Sequence, residues 1–421
     1  MFENIIGQTE VVRALREEIP QGRFPRAALF YGPAYAGKLS AALEAARVLT
    51  CTGGSAEWSC ECPSCRMQKE LSHPQTVLLG PRYADVEIAA CADALMRSRK
   101  PATLYLFIRA VRKLTRRFDP LVVDADEART KAAVEKAVRI EEVLAELAPG
   151  KELPPARELG DLLEKIVAAA APVAAQARGD AISIAQVRRL AAWAHVTASG
   201  ACKVAVIENA DRMQDSARNA LLKLLEEPPA SVHLILLSTR RSAIIPTILS
   251  RLRPYTFLPR SPSEEKEVLS KIFRQDPPAF DSLRAFFLAW REINAEKLAS
   301  LAGRFLELVG SDTVEDIVER MAEMQSDRKI ARDRLSRETT ASFLEELLSH
   351  MHKLMRGGLP GVDVLEQWSE AVREAHLRLE TINMNPSTVL EALYFRMRAA
   401  LHREEASASV MRGDGSAKAA I

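Results

Sequence analysis

With 421 residues the chain is too long for one ordinary core, so two or three domains are expected. Its composition, 48% hydrophobic, 5% aromatic and 27% charged, excludes a disordered or disulfide-framed secreted chain and fits a helix-rich globular protein. Against 58 basic side chains stand 56 acidic ones, a net charge of +2, so any contact with nucleic acid has to come from a local patch. The opening MFENIIGQTE lacks the basic start and apolar run of a signal peptide. The most apolar stretch, IVAAAAPVAAQA from Ile166, is broken by Pro172 and well short of the roughly 20 residues of a membrane span. A cytoplasmic chain without membrane contact is the expectation.

In chain order, RAALFYGP reads as a short buried strand entering a turn, and KLSAALEAARVLT as the helix after it. Between them lies GPAYAGK, with Gly32, Gly37 and Lys38 at the spacing of a phosphate-binding loop. In such a loop backbone N–H groups and the helix N-terminus cradle phosphate, the lysine neutralises charge, and a following Ser or Thr ligates magnesium. That last position is Leu39; Ser40 is no simple substitute, since the next helical position points about 100° away.

The stretch CTGGSAEWSCECPSC places Cys51, Cys60, Cys62 and Cys65 within fifteen positions, a set that suits a structural tetrahedral zinc. The C-x-C step is tighter than the usual spacing, which leaves open a strained or absent ligand and, as the other reading, buried cysteines without metal. His73 is a spare candidate ligand, more simply a turn residue. Cys91 and Cys202 have no partners in sequence and are assigned to the core.

From about 83 to 178 strand-like runs are few, and a helical insertion is expected, interrupted at LAPGKELPPARELG. Within it Leu104, Phe107, Val111, Leu114 and Phe118 form an apolar stripe, and Arg109, Arg112, Lys113, Arg116 and Arg117 a basic one. The basic stripe fits either a phosphate backbone or acidic partner, or a solvated helix face.

A second strand, KVAVIENADRM, runs into Glu208 and Asn209; the helix SARNALLKLLEEPP stops at Pro228 and Pro229; VHLILLS is a third strand. Strands alternating with helices predict a parallel α/β domain with its ligand at the carboxyl ends of the strands. The second strand of a phosphate-loop domain ends in an acid that holds magnesium and one that orients the attacking water. Glu208 fills the first place, and Asn209, which cannot take a proton, the second. Both defects fall on metal and water handling, the pattern of a site that keeps nucleotide binding and hydrolyses poorly. Beyond Ser261 only helices are expected, opening on a capping pattern at SPSEEKEVLSKIF, and the small polar tail 406–421 is expected to be disordered.

Taken together, ENIIGQTEVVRAL, the loop GPAYAGKLSAALEAARVLTC, the cysteine cluster, IENADRMQDSARNALLKLLEEPP, IIPTILSRLRPYTF and RLETINMNPSTVLEALYFRM resemble, in order, the clamp-loader subunits of bacterial DNA polymerase III within the AAA+ class. The resemblance covers about 1–80 and 180–400. It implies an AAA+ α/β domain over 1–258, including the zinc module 51–65 and the insertion, a helical lid over 259–315 and a helical oligomerisation collar over 316–405. It further implies partners: other clamp-loader subunits (gamma/tau and delta), a sliding clamp, and primed DNA met through the complex. Two kinds of subunit share this layout, an ATP-hydrolysing gamma/tau-like motor and a delta-prime subunit with a degenerate site; Leu39 and Asn209 resemble the latter. The family's Ser-Arg-Cys motif, whose arginine reaches a neighbour's ATP site, corresponds to Ser250 and Arg251, followed here by Leu252. Arg251 is therefore the implied catalytic residue, offered in trans; its plain alternative is a surface ion pair. The lid sensor arginine corresponds to Arg284, though the flanking residues diverge, and Ser238 or Thr239 falls at the sensor position after the third strand.

Overall fold

The computed structural model describes residues 1–81, 84–123, 128–177, 181–197, 200, 202–290, 295–310, 332–355, 362–381 and 384–411. The chain divides into two compact units, Met1–Arg291 and Glu292–Ile421. The division falls inside the span expected as a lid, 259–315.

The first unit is built on a five-stranded sheet of order β2-β3-β4-β1-β5, with β1 Ala27–Tyr31, β2 Thr76–Leu79, β3 Lys203–Ile207, β4 Val232–Ser238 and β5 Arg253–Thr256. Every pairing is parallel, with Leu29 beside Leu236 and Val206 beside Ile235. Alternation explains the apolar runs: Ala28, Phe30, Val204, Val206, Ile235 and Leu237 enter the core on one face, and Leu29, Ala205, Ile207, Leu234 and Leu236 the core on the other. A parallel sheet covered on both faces selects such continuous apolar strands. Helices α1 (Thr9–Glu18) and α2 (Lys38–Leu49) cover the first face, and α8 (Ile184–His195) and α9 (Asp215–Glu226) the second. Between α2 and β2 lies α3 (Pro63–Lys69), and α10 (Pro246–Leu249) precedes β5.

The expected insertion is helical: α4 (Asp85–Ser98), α5 (Pro101–Thr115), α6 (Ala128–Leu144) and α7 (Ala156–Ala177), with α7 continuing through Pro172. Its apolar stripe is buried, and the same core takes in Val268, Leu269, Phe273, Leu283 and Phe286 from α11 (Pro262–Lys271), the turn after it and α12 (Leu283–Trp290). Ser261 and Glu264 close a reciprocal capping box at the start of α11, as the sequence predicts.

The second unit packs α13 (Ala295–Gly310), α14 (Arg332–Met355), α15 (Val362–Thr381) and α16 (Pro386–Met411) around Phe305, Phe343, Leu347, Trp368 and Met397. Of the expected collar, 316–331, 356–361 and 382–383 lie outside the described residues. The tail is expected from 406, and α16 runs to Met411. The remainder, 412–421, lies outside the described residues.

Candidate functional site

The carboxyl ends of β1, β3 and β4 converge on the loop between β1 and α2. Gly32 has φ +148°, and a Cβ there would lie 2.1 Å from the Phe257 carbonyl oxygen. Gly37 caps α2 with φ +91°, and a Cβ there would meet Arg260 Nη2 at 2.7 Å. Gly32 is closed to other residues by backbone, and Gly37 is favoured by its positive φ, since the Arg260 tip could give way. Lys38 Nζ turns back onto the loop, donating to the carbonyls of Gly32 at 2.6 Å and Pro33. Burial lowers the Lys38 amine to about 8, against the pull of Asp211 and Glu208 and with the help of nearby Arg260. Arg260, from the segment before α11, donates to the carbonyls of Tyr35 and Ile6. It lies in a linker with no motif, and the sequence reading missed it; its place just before a capping box is the one available signal.

Leu39, the second residue of α2, is buried in the core and Ser40 is exposed at the cavity, so the position after Lys38 offers no hydroxyl for magnesium. Glu208, at the end of β3, forms a buried ion pair with Arg117 Nη2, and Arg117 Nη1 donates to the Gly80 carbonyl. Asn209 adopts the left-handed conformation and donates through Nδ2 to the Pro81 carbonyl at 2.7 Å. Ser238 donates to Asp211 Oδ1 at 2.7 Å, while the neighbouring Thr239 is exposed. These residues do not fit a magnesium ion: one ligand position is apolar, and the carboxylate that should supply another is engaged by a guanidinium.

A cavity of about 520 Å³ opens beside the loop, lined among others by Tyr35, Lys38, Trp58, Arg109, Arg260 and Phe287. That volume suits a nucleotide-sized ligand. Tyr35 and Phe287 stack across it, with ring centroids 5.4 Å apart and planes 13° apart. On α12 it is Leu283 and Phe287 that line the cavity; Arg284 is not among the described lining residues. Arg251 lies outside it too. Its Nη2 donates to Glu226 Oε1 at 2.8 Å and its Nη1 to the Thr247 carbonyl at 2.8 Å.

The cysteines Cys51, Cys60, Cys62 and Cys65 come together with all four Sγ atoms within 4.8 Å of one another. Cys51 Sγ lies 3.8 Å from that of Cys60 and 4.0 Å from that of Cys62. Tetrahedral thiolates at about 2.3 Å from zinc stand about 3.8 Å apart, so the set fits the ion and the tight C-x-C step strains nothing visible. Burial opposes ionisation of Cys62, but hydrogen bonds from Thr52 and the Cys65 N–H bring it down to about 5. Burial pushes Cys65 up, against the Arg47 guanidinium, which donates to its Sγ at 3.3 Å. His73 is not a ligand: Nδ1 accepts from the Gln75 N–H and Nε2 lies 3.0 Å from Ser64 Oγ, with burial and Arg116 lowering its pKa.

The basic stripe of α5 and of the turn after it makes contacts inside the protein rather than on a solvated helix face, and Arg109 and Lys113 also line the cavity. Arg109 donates to the Gln68 carbonyl, Arg112 to Glu141 and to the Glu70 carbonyl, and Lys113 to Glu87. Arg116 donates to the carbonyls of His73 and Thr76, and Arg117 to Glu208 and Gly80. Periodicity marked a basic face truly, but the face clamps the insertion to the segment 68–80 and to the end of β3.

Comparison with known proteins agrees with this geometry. The family described as "DNA polymerase III, delta subunit" matches residues 7–118 and 163–261, half of the chain. Within the stretch expected to depart from the family, only 119–162 stands outside the match. DNA polymerase III subunit delta' of Pseudomonas aeruginosa is 45% identical over 71 residues, 17% of this chain and 22% of that one. Subunit delta' of Bacillus subtilis is 34% identical over 74 residues, 18% of this chain and 22% of that one. Subunit gamma/tau of Mycobacterium tuberculosis is 32% identical over 79 residues, 19% and 14% of the two chains. The chain thus matches less than a quarter of the length of these relatives. A solved gamma subunit-related protein from Thermotoga maritima is similar at 18% identity over 53% of this chain and 81% of that one, with a TM-score of 0.27, too distant to carry an argument. On the strength of the family match across the sheet, the loop and the cysteine cluster, the chain belongs to the DNA polymerase III delta subunit family.

Proposed function

We propose that the chain acts as a delta-prime-type subunit of a clamp loader, a largely non-hydrolysing member that assists ATP-dependent loading of a sliding clamp onto primed DNA. The observation that carries this is the division within the site. The glycines and lysine of the loop, Gly32, Gly37 and Lys38, are in place, while Leu39 is buried and Glu208 is paired with Arg117. Its partners would be gamma/tau and delta subunits, and its contribution to turnover Arg251, offered to a neighbouring motor. Arg251 is surface-held by Glu226 and could exchange that partner for a phosphate at modest cost, because half-exposed ion pairs are weak. Zinc in the four-cysteine set would be structural, the lid would follow the sheet, and the second unit would supply the collar. Against a gamma/tau-like motor speaks the absence of a hydroxyl at the magnesium position.

The test is Arg251→Ala in a complex reconstituted with gamma/tau, delta and the clamp. Assembly is expected to survive, and turnover at the ATP site that Arg251 serves to fall by about 10³-fold or more, the range of an arginine supplied in trans, with total turnover of the complex falling by that site's share. Unchanged turnover would remove Arg251 from catalysis.

A further inference from the structure

Arg47, in the last turn of α2, is fully buried, and every N–H of its guanidinium has an acceptor. Nε and Nη2 form a fork with the Glu44 carboxylate at 2.9 and 2.6 Å. The other donors go to the cysteine module: Nη2 to the Ala56 carbonyl at 2.6 Å, and Nη1 to the Glu57 carbonyl at 2.9 Å and Cys65 Sγ at 3.3 Å. Cys65 is the buried member of the four-cysteine set; the other three are half-buried. Ala56, whose carbonyl Arg47 grips, holds φ +50°, a conformation rare for an L side chain. From there the chain runs through Trp58, whose ring centroid lies 5.6 Å from the Arg47 guanidinium, to Cys60, whose carbonyl accepts from Lys69 Nζ at 3.0 Å. The loop between Cys51 and Cys60 is thus held from outside the ligand set.

Four thiolates on one zinc ion leave an excess of negative charge on sulfur, which N–H donors beside the ligands stabilise. The fork with Glu44 fixes the plane of the guanidinium, so its other edge meets Cys65 and the loop at set positions. We infer that Arg47 is the positioning residue of the metal centre: it orients the Cys65 sulfur and the backbone of Ala56 and Glu57, and it sets the affinity of the cysteine set for zinc. The inference rests on that set holding zinc, and it goes further by assigning part of the affinity to a side chain that is not a ligand.

The experiment is zinc titration of the full chain in competition with a chromogenic chelator, for wild type, Glu44→Gln and Glu44→Gln/Arg47→Met, with cobalt in place of zinc to read the absorbance of the metal–thiolate bonds. Glu44→Gln weakens the buried pair but keeps an acceptor for Arg47, so its zinc affinity is expected within about threefold of wild type. The double variant strands no charge, and it is expected to bind zinc about 10- to 100-fold more weakly and to shift the sulfur-to-cobalt absorption, as loss of a partner of a metal ligand does. Near-wild-type affinity in the double variant, an equal loss in Glu44→Gln alone, or a wild type that binds no zinc would each overturn it. Only the last of these also ends the zinc reading. Should the double variant melt below the working temperature, Arg47→Lys, which keeps the charge and loses the fork, decides: zinc at least about tenfold weaker is expected, and wild-type affinity would overturn the inference.

Discussion

Arg47 and Arg117 solve one problem at two places, holding a guanidinium in the interior with a carboxylate beside it. Arg47 is fully buried and pairs with Glu44 while donating to the carbonyls of Ala56 and Glu57; Arg117 pairs with Glu208. Such pairs add little against apolar replacements, yet removing one partner strands the other's charge. Arg117→Ala is therefore expected to lower unfolding free energy by about 3–5 kcal/mol in urea titrations, and Arg117→Met/Glu208→Leu to recover much of it. A single-variant loss below about 1 kcal/mol would mean that water reaches Glu208. At Lys38 the titration falls lower than for an ordinary surface lysine. Burial disfavours its charge, so the amine is protonated below about 8 and neutral above. Affinity of the loop for tripolyphosphate is expected to fall as pH rises through about 8. Lys38→Met should flatten that profile, and an equal slope in the variant would assign the titration elsewhere.

At the scale of elements, α2 joins the phosphate loop to the cysteine cluster. Its first residue is Lys38; its last turns carry Glu44, which accepts from the Phe2 N–H, and Arg47, which reaches Cys65. Trp58 lies between Arg47 and Lys69, at 5.6 and 5.5 Å, and also lines the cavity. Zinc is expected at one equivalent per chain, released by a mercurial and read with a chromogenic chelator. Cys65→Ser should abolish it and Cys91→Ser leave it unchanged, because Cys91 lies in the helical core away from the cluster. The loop, the cysteines and three strands were legible in sequence because their signals are local. β2 and β5 were not, since four-residue strands are too short to show a period. Arg117 and Glu208 lie 91 positions apart, and Arg260 meets the loop from 225 positions beyond Tyr35, so only folding brings them to the site. The basic stripe was read correctly as a face, and tertiary packing alone decides which groups it meets.

For the whole molecule, the insertion does more than decorate the sheet. Its helices share one apolar core with α11 and α12, so the segment after the sheet is built onto the insertion rather than standing free. The second unit has a separate core of its own, in which Trp368 donates from Nε1 to the Met397 carbonyl at 2.8 Å. A second unit with a core of its own predicts how a truncated chain behaves. A fragment ending at Arg291 keeps every residue of the sheet, the cysteine cluster, the Arg117–Glu208 pair and the cavity. It is expected to remain soluble and to hold the same one equivalent of zinc. If the second unit is the collar, the fragment should no longer co-elute with gamma/tau and delta in gel filtration, whereas the full chain should. Retained co-elution would move the principal assembly surface to the first unit, and loss of zinc from the fragment would mean that the first unit does not fold by itself.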